Sequence, residues 1–222
     1  MRGVPALVLL RAPRGHALRV VPVTLDLSAQ CEITGSARFS RDGALRNEIR
    51  RWWVKEPKVW AAWLMLNPSV ASRDRNDPTA RRVTHFSQAF GCDGWIGVNL
   101  YPFISSTPAE MWRWANWQAH GPAWDVRDDL LANLQYIEDA ARLATLRMVA
   151  FGAAPIYHDE PWLEQCVEAF SQPSNMDPDP NRLDPAQLFC LGVNQVGQPL
   201  HPLARGKMRV PNNQQPIPWT RE

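Results

Sequence analysis

Four short runs along the chain are almost wholly apolar, and each is bounded by turn residues. Val59–Leu66 (VWAAWLML) ends at Asn67-Pro68, and Trp95–Leu100 (WIGVNL) is broken only by Asn99 before Tyr101-Pro102. Leu146–Phe151 (LRMVAF) closes at Gly152, and Gln187–Gly192 (QLFCLG) is the last of the four. Continuous apolar runs of this length predict strands buried on both faces. Helical periods separate them. Asp77-Pro78 supplies an N-cap and a proline at the first helical position, and Val83, Phe86 and Phe90 recur at helical spacing up to Gly91. Thr107-Pro108-Ala109-Glu110 reads as a capping box ahead of Met111, Trp112 and Trp114. A longer helix is predicted from Pro122 to Ala144, with Leu130, Leu134, Ile137 and Ala141 on one face, and a fourth runs through Trp162, Cys166 and Phe170.

Strands alternating with helices predict an α/β fold, a three-layer sandwich with a mostly parallel central sheet flanked by helices. Residues 1–36 show only weak alternation around Leu18–Leu27 and read as an N-terminal extension, which leaves residues 37–222 as a single domain. Gln172–Pro185 (QPSNMDPDPNRLDP) is a proline- and aspartate-rich loop.

Composition narrows the class. Of 222 residues, 45% are hydrophobic and 21% charged, which excludes a wholly disordered chain. No apolar run reaches the roughly 18 residues of a membrane span, and the Val4–Leu10 stretch lacks a cleavage site, so a soluble, untargeted, cytoplasmic protein without membrane association is expected. The four cysteines, Cys31, Cys92, Cys166 and Cys190, form no C-x-x-C pair, so they read as reduced thiols, and neither a metal nor a cofactor is expected. Eleven tryptophans against three tyrosines offer flat apolar area, for packing or for stacking on bases and sugars. A net charge of +2 conceals a division: residues 1–122 carry +7, residues 123–190 carry −8 and residues 191–222 carry +3. The two basic portions can fold together into one face suited to a polyanion; alternatively, Arg38, Arg41, Arg46, Arg50 and Arg51 form only a solvated strand surface.

In a parallel sheet, ligands bind beyond the carboxyl ends of the strands, where Asn67, Asn99, Gly152 and the late His201 are expected. An amide inside a buried strand must find partners or cost about 1–3 kcal/mol, so Asn99 either ties a loop or reads a ligand. Asp77 is an N-cap or a carboxylate that works on a substrate, and His201 tethers a loop or supplies an imidazole beside the basic turn of Arg205, Lys207 and Arg209. Trp112, Trp114, Trp117 and Trp124 form an aromatic wall near Asn99 or pack a helix on the sheet.

The segments LMLNPS, NDPTARR, GVNL, VAFG and LHPLARG resemble an uncharacterised bacterial and phage family with M-L-N-P-S, D-P-T, V-N-L and H-P-L motifs. In order and placement these motifs are similar to those of the uracil-DNA glycosylase superfamily, over roughly residues 38–206. The resemblance implies that fold and a catalytic set of Asn67, Asp77 and His201. Asn67 would orient the attacking water, Asp77 would help hold it or stabilise the cationic sugar, and His201 would stabilise the departing base. It places Asn99, Tyr101 and Pro68 at the extruded base, and Ser69, Arg81, Arg205 and Lys207 on the DNA backbone. No G-Q-D-P-Y-H signature occurs and no H-P-S-P follows, which points away from strict uracil specificity.

The expected activity is therefore that of a monomeric, monofunctional DNA glycosylase. It would remove an altered or hypermodified base, such as glucosylated hydroxymethylcytosine in phage DNA, as antiviral defence. The alternatives are a non-catalytic binding module for modified bases or nucleic acid, and an enzyme acting on free nucleotides.

Overall fold

The computed structural model describes residues 5–10, 19–24, 33–69, 76–120, 125–152, 160–172 and 187–221. The strands are β1 (Pro5–Leu10), β2 (Arg19–Thr24), β3 (Thr34–Phe39), β4 (Arg46–Trp52), β5 (Trp60–Met65), β6 (Gly94–Asn99), β7 (Leu146–Val149), β8 (Leu188–Cys190) and β9 (Ile217–Trp219). The helices are α1 (Pro78–Ala89), α2 (Pro108–His120), α3 (Asp125–Leu143) and α4 (Glu160–Phe170). All four apolar runs are strands, and all four helical periods are helices. Cys31, Trp124 and nearly all of the Gln172–Pro185 loop lie outside the described residues.

Seven strands make one sheet in the order β3-β4-β6-β5-β7-β8-β9, and β1 and β2 pair separately as an antiparallel ribbon. β6, β5, β7 and β8 run parallel, whereas β3, β4 and β9 are antiparallel to their neighbours. The sheet is thus mixed, which corrects the expectation of a mostly parallel one: buried parallel strands announce themselves as apolar runs, and the antiparallel edges do not. The sheet begins at Thr34, so residues 34–36 of the expected extension belong to it.

Helices cover both faces. α1 lays Val83, Phe86 and Phe90 on Trp63, Met65, Trp95 and Met148. Its hydroxyls satisfy the buried indoles there: Trp63 Nε1 donates to Ser87 Oγ at 3.0 Å and Trp95 Nε1 to Thr84 Oγ1 at 2.8 Å. The other face packs Leu64, Ile96, Val98 and Val149 against Met111 of α2, Ile137 and Ala141 of α3, and Trp162, Cys166 and Phe170 of α4. The α3 stripe foreseen from spacing is the one that packs, with Leu130 and Leu134 at its margin. Among the described residues, no helix is long and apolar enough to cross a membrane.

The arginine-rich strand departs from the solvated-surface reading. Arg46 and Arg51 of β4 are buried, only 3% and 2% exposed, and Glu48 between them is equally enclosed. These charges enter the sheet because each finds a tertiary partner, as described below.

After β5 the chain crosses by α1 to β6 on one side; after β6 it returns by α2 and α3 to β7 on the other side of β5. β5 and β7 lie side by side, with the Ala150 amide on the Leu64 carbonyl at 2.8 Å. Such a reversal makes the region beyond their carboxyl ends, the crevice of an open sheet, the usual ligand position.

At the opposite end, the backbone is packed to the limit around Gly94. A Cβ there would lie 2.7 Å from the Arg51 carbonyl oxygen, 2.7 Å from the Trp60 ring and 2.9 Å from Trp52 Cβ. Gly94→Ala should lower stability by about 1–3 kcal/mol, the usual cost of overpacking a core, seen as a reduced urea midpoint. An unchanged midpoint would show that β4 can move away from β6.

Candidate functional site

Asn67 follows β5 and is tied by its own side chain. Its Nδ2 donates to the Ser105 carbonyl at 2.9 Å and to the Pro68 carbonyl at 3.2 Å, and the Ser105 amide returns a bond to Pro68 O at 3.0 Å. This reciprocal pair joins the turn after β5 to the loop after β6. Oδ1 of Asn67 remains on the acceptor side of the amide, turned to none of these partners. Ser105 also begins α2: its Oγ accepts from the Thr107 amide at 3.0 Å and donates to Glu110 Oε2 at 2.7 Å. The acidic end of the expected capping box therefore reaches the Ser105 hydroxyl, and bonds from Ser105 and Thr107 hold the Glu110 carboxyl below its ordinary range.

Asp77 is the N-cap of α1, with Oδ1 on the Ala80 amide at 2.7 Å. Its other oxygen accepts the Ser69 hydroxyl in a short contact. Both oxygens are thus occupied, and Ser69, expected on a DNA phosphate, is engaged with Asp77. Around this carboxylate stand groups that sequence reasoning missed. Arg46 reaches the Ser69 carbonyl at 3.5 Å, and Arg51 Nε donates to Asn76 Oδ1 at 2.7 Å, beside the cap. Burial brings the Arg46 guanidinium down to about 10, against the opposing pull of Asp77, while Arg51 adds to the lowering. The sequence signal for these groups was an alternation of charges inside a strand-length segment, which is ordinarily a wet edge.

Asn99 ends β6, one strand across from Met65. Alternation along β6 places it on the α1 face with Trp95. It is fully buried, and neither Nδ2 nor Oδ1 meets a hydrogen-bond partner. Its backbone is fixed from the other face: Asn133 Nδ2 of α3 donates to the Asn99 carbonyl at 2.8 Å, and Trp162 Nε1 of α4 to the Leu100 carbonyl at 2.9 Å. Asn133 was legible only as a polar residue on the apolar stripe of α3.

His201 approaches the end of β7 because Gly152 makes room. A Cβ on Gly152 would lie 3.3 Å from His201 Cβ, and its φ of +78° suits glycine. The Leu203 amide donates to His201 Nδ1 at 3.1 Å, which leaves the proton of the neutral ring on Nε2. Burial lowers the His201 pKa below its ordinary value, partly opposed by the nearby Asp77 carboxylate. The segment that carries His201 is stapled to α1 by Arg82, which donates to Val210 O at 2.6 Å and to Asn212 Oδ1 in a short contact while lying 4.4 Å over the Phe86 ring.

The crevice thus assembles Asn67, Asp77 and His201, with Ser69, Pro68 and Asn99 adjacent. Tyr101 is not brought in: it is 1% exposed and packs in the core of the opposite face, edge-on to Trp112. Trp114 stacks on Phe103 at 5.3 Å, and both tryptophans pack against that core, so the packing alternative holds for them rather than an aromatic wall. Arg81, Arg205 and Lys207 are exposed, as phosphate contacts require. Arg38 and Arg50, which the sequence counts in the first basic portion, sit at the β3–β4 edge and are paired with Glu48.

Residues 46–203 match a family described as protein of unknown function (DUF1643), a span that begins at Arg46 and includes His201. No curated protein and no solved structure matches the chain.

Two outcomes follow from this geometry. Because the folded His201 pKa lies below the ordinary 6.5, the unfolded chain takes up that proton first on acidification. The associated stability is present above 6.5 and is lost as pH falls through and below it. Urea midpoints at neutral and mildly acid pH should show this loss, and His201→Gln should flatten it; an equal slope in the variant would assign the loss to other groups. Asn99→Leu should leave stability unchanged or raise it, by up to about 1–3 kcal/mol, since two unpartnered buried groups are removed. A marked destabilisation would reveal a structural tie.

Proposed function

The chain belongs to the DUF1643 family, and from its carboxyl-end crevice we propose that it is a monofunctional DNA glycosylase, which hydrolyses the bond between an altered or hypermodified base and its sugar and leaves an abasic site. The observation that carries this reading is the Asn99 amide, fully buried with donor and acceptor both unpartnered beside the strand end that bears Asn67. An adjacent donor and acceptor match the hydrogen-bonding edge of a base, and a base extruded from the stack is read in this way.

In the proposed reaction the bond between the anomeric carbon and the base nitrogen breaks, and its electron pair leaves with the base. Positive charge grows on the sugar and negative charge on the base. His201, neutral and carrying its proton on Nε2, donates a hydrogen bond to the departing base. Asn67 is held through Nδ2 and offers Oδ1 to a water, whose oxygen bonds to the anomeric carbon while its proton passes to solvent. Asp77 acts through its field on the cationic sugar, while its oxygens hold the Ser69 hydroxyl and the Ala80 amide. Arg81, Arg205 and Lys207 serve the phosphates.

A hypermodified cytosine such as glucosylated hydroxymethylcytosine in phage DNA, removed as antiviral defence, remains the proposed substrate. With Trp112 and Trp114 packed on the core, the choice of substituent falls to the substrate panel. One feature favours a non-catalytic modified-base binding module instead: among the described residues of the crevice, the Asp77 carboxylate is already engaged by the Ser69 hydroxyl and the Ala80 amide.

The test is abasic-site formation under single-turnover conditions on DNAs with normal, deaminated and glucosylated bases. Asn67→Ala and His201→Ala should each slow base release by about 10²-fold or more. Asn67→Asp keeps an acceptor for water but loses the tie to Ser105, so it should retain more activity than Asn67→Ala. No base release from any DNA in the panel, or folded Ala variants working at the parental rate, sinks the glycosylase reading. Specific binding of one modified base without release would establish the module.

A further inference from the structure

At the amino ends of the parallel strands, away from the crevice, an open trough of about 570 Å³ is lined by Ser36, Arg38, Glu48, Arg50, Trp52, Lys55, Pro57 and Trp60. Its floor is organised by one enclosed carboxylate. Glu48, with a side chain only 3% exposed, takes the Arg50 guanidinium with both oxygens, at 2.7 and 2.6 Å, and holds Arg38 Nε at 3.5 Å. The lining thus carries three cations and one carboxylate, and two of the cations, Arg38 with its side chain 64% exposed and Lys55, are exposed to solvent. Two indoles complete the lining. Trp52 and Trp60 meet edge to face with centroids 6.3 Å apart, and both pack closely on Gly94, where a Cβ would lie 2.7 Å from the Trp60 ring and 2.9 Å from Trp52 Cβ. The loop between β4 and β5 is fixed as well: the Lys58 and Val59 amides both donate to Asp93 Oδ2 at 2.8 Å.

Surplus positive charge beside preset aromatic surface is the pairing that holds a nucleic-acid strand whose bases are free to stack. A fully paired duplex offers the phosphates but keeps its bases stacked inside. We infer that this trough binds a single-stranded nucleic-acid segment, its bases against Trp52 and Trp60 and its phosphates on Arg38 and Lys55. The trough lies a strand length from the crevice, roughly 20 Å for six residues. It therefore engages nucleic acid independently of the base chemistry proposed there, and it adds grip on substrates long enough to reach both ends of the sheet.

The probe is labelled oligo(dT) of about 16 nucleotides, the upper site size of a compact single-strand-binding domain, with an abasic oligomer of equal length as control. Wild-type protein should bind oligo(dT) more tightly than the abasic chain. Arg38→Ala with Lys55→Ala should weaken oligo(dT) binding about tenfold and lower the salt slope by about 1.4, or ~0.7 for each lost phosphate contact. Trp52→Ala should weaken oligo(dT) binding but leave the abasic chain unaffected, a difference that general loss of structure does not produce. Equal affinity for the two oligomers, or an unchanged salt slope in the double variant, overturns the inference. Base release from a substrate too short to reach the trough should be unaffected by Arg38→Ala with Lys55→Ala. The crevice and the trough can therefore fail separately.

Discussion

Asp77 starts α1 with one oxygen on the Ala80 amide, and its other oxygen takes the Ser69 hydroxyl, so one carboxylate fixes both the helix and the turn that leads back to Asn67. The same charge lies within the field of Arg46 and of His201. A buried carboxylate persists only when hydrogen bonds and opposite charge replace its water. Here these replacements come from β4, from the turn after β5 and from the backbone of α1. The crevice is built around that requirement: moving Asp77 would disturb the cap of α1, leave Ser69 without its acceptor, and remove the anion that opposes the desolvation of Arg46.

α1 also governs the far side of the crevice. One turn beyond its cap, Arg82 binds Val210 and Asn212, and His85 Nε2 lies 3.0 Å from the Asn212 carbonyl. The chain segment that follows His201 is therefore anchored to the helix that Asp77 begins. Gly152 completes the approach, because any side chain there would push against His201. Asn67 and His201 come from distant parts of the sequence, yet their separation is set by a single helix and two strand ends. Arg82 could be counted from sequence among the cations facing a polyanion, but each of its three nitrogens donates to this staple.

What could be read from the sequence follows burial. β5, β6 and β7 were legible because strands covered on both faces are nearly continuous apolar runs, and the caps at Asp77 and Thr107 were legible because their chemistry is local. β4 was not, since Arg46, Glu48, Arg50 and Arg51 look like a solvated edge until Ser69, Asn76 and Arg38 supply partners from elsewhere. β9 is too short, at three residues, to carry a period. For the same reason the antiparallel edges went unseen and the sheet was expected to be mostly parallel. In the crevice, Asn67, Asn99 and His201 could be found as polar residues at the ends of apolar runs. The supports of Asn99 could not, because the roles of Asn133 and Trp162 depend on how α3 and α4 pack. Tyr101 shows the converse error: the resemblance places it at the base, but β6 ends at Asn99, so strand alternation no longer sets the direction of Tyr101, which packs on the other face.

Asn99 stands apart from the other buried polar groups of the sheet. Trp63 and Trp95 have hydroxyl partners on α1, and Trp162 and the Asn133 amide nitrogen have carbonyls at the end of β6. Asn99 leaves both its amide nitrogen and its amide oxygen buried without a partner. Each such group costs about 1–3 kcal/mol, a large share of an ordinary domain's 5–15 kcal/mol. An apolar side chain of similar size would avoid that cost, and the fold could take one, since Asn133 and Trp162 grip the backbone at this point and not the Asn99 side chain. The Asn99 side chain contributes no hydrogen bond to the fold. The amide thus carries a donor and an acceptor beyond what the hydrogen bonds of the fold use, and that is the pair the proposed base contact would take up.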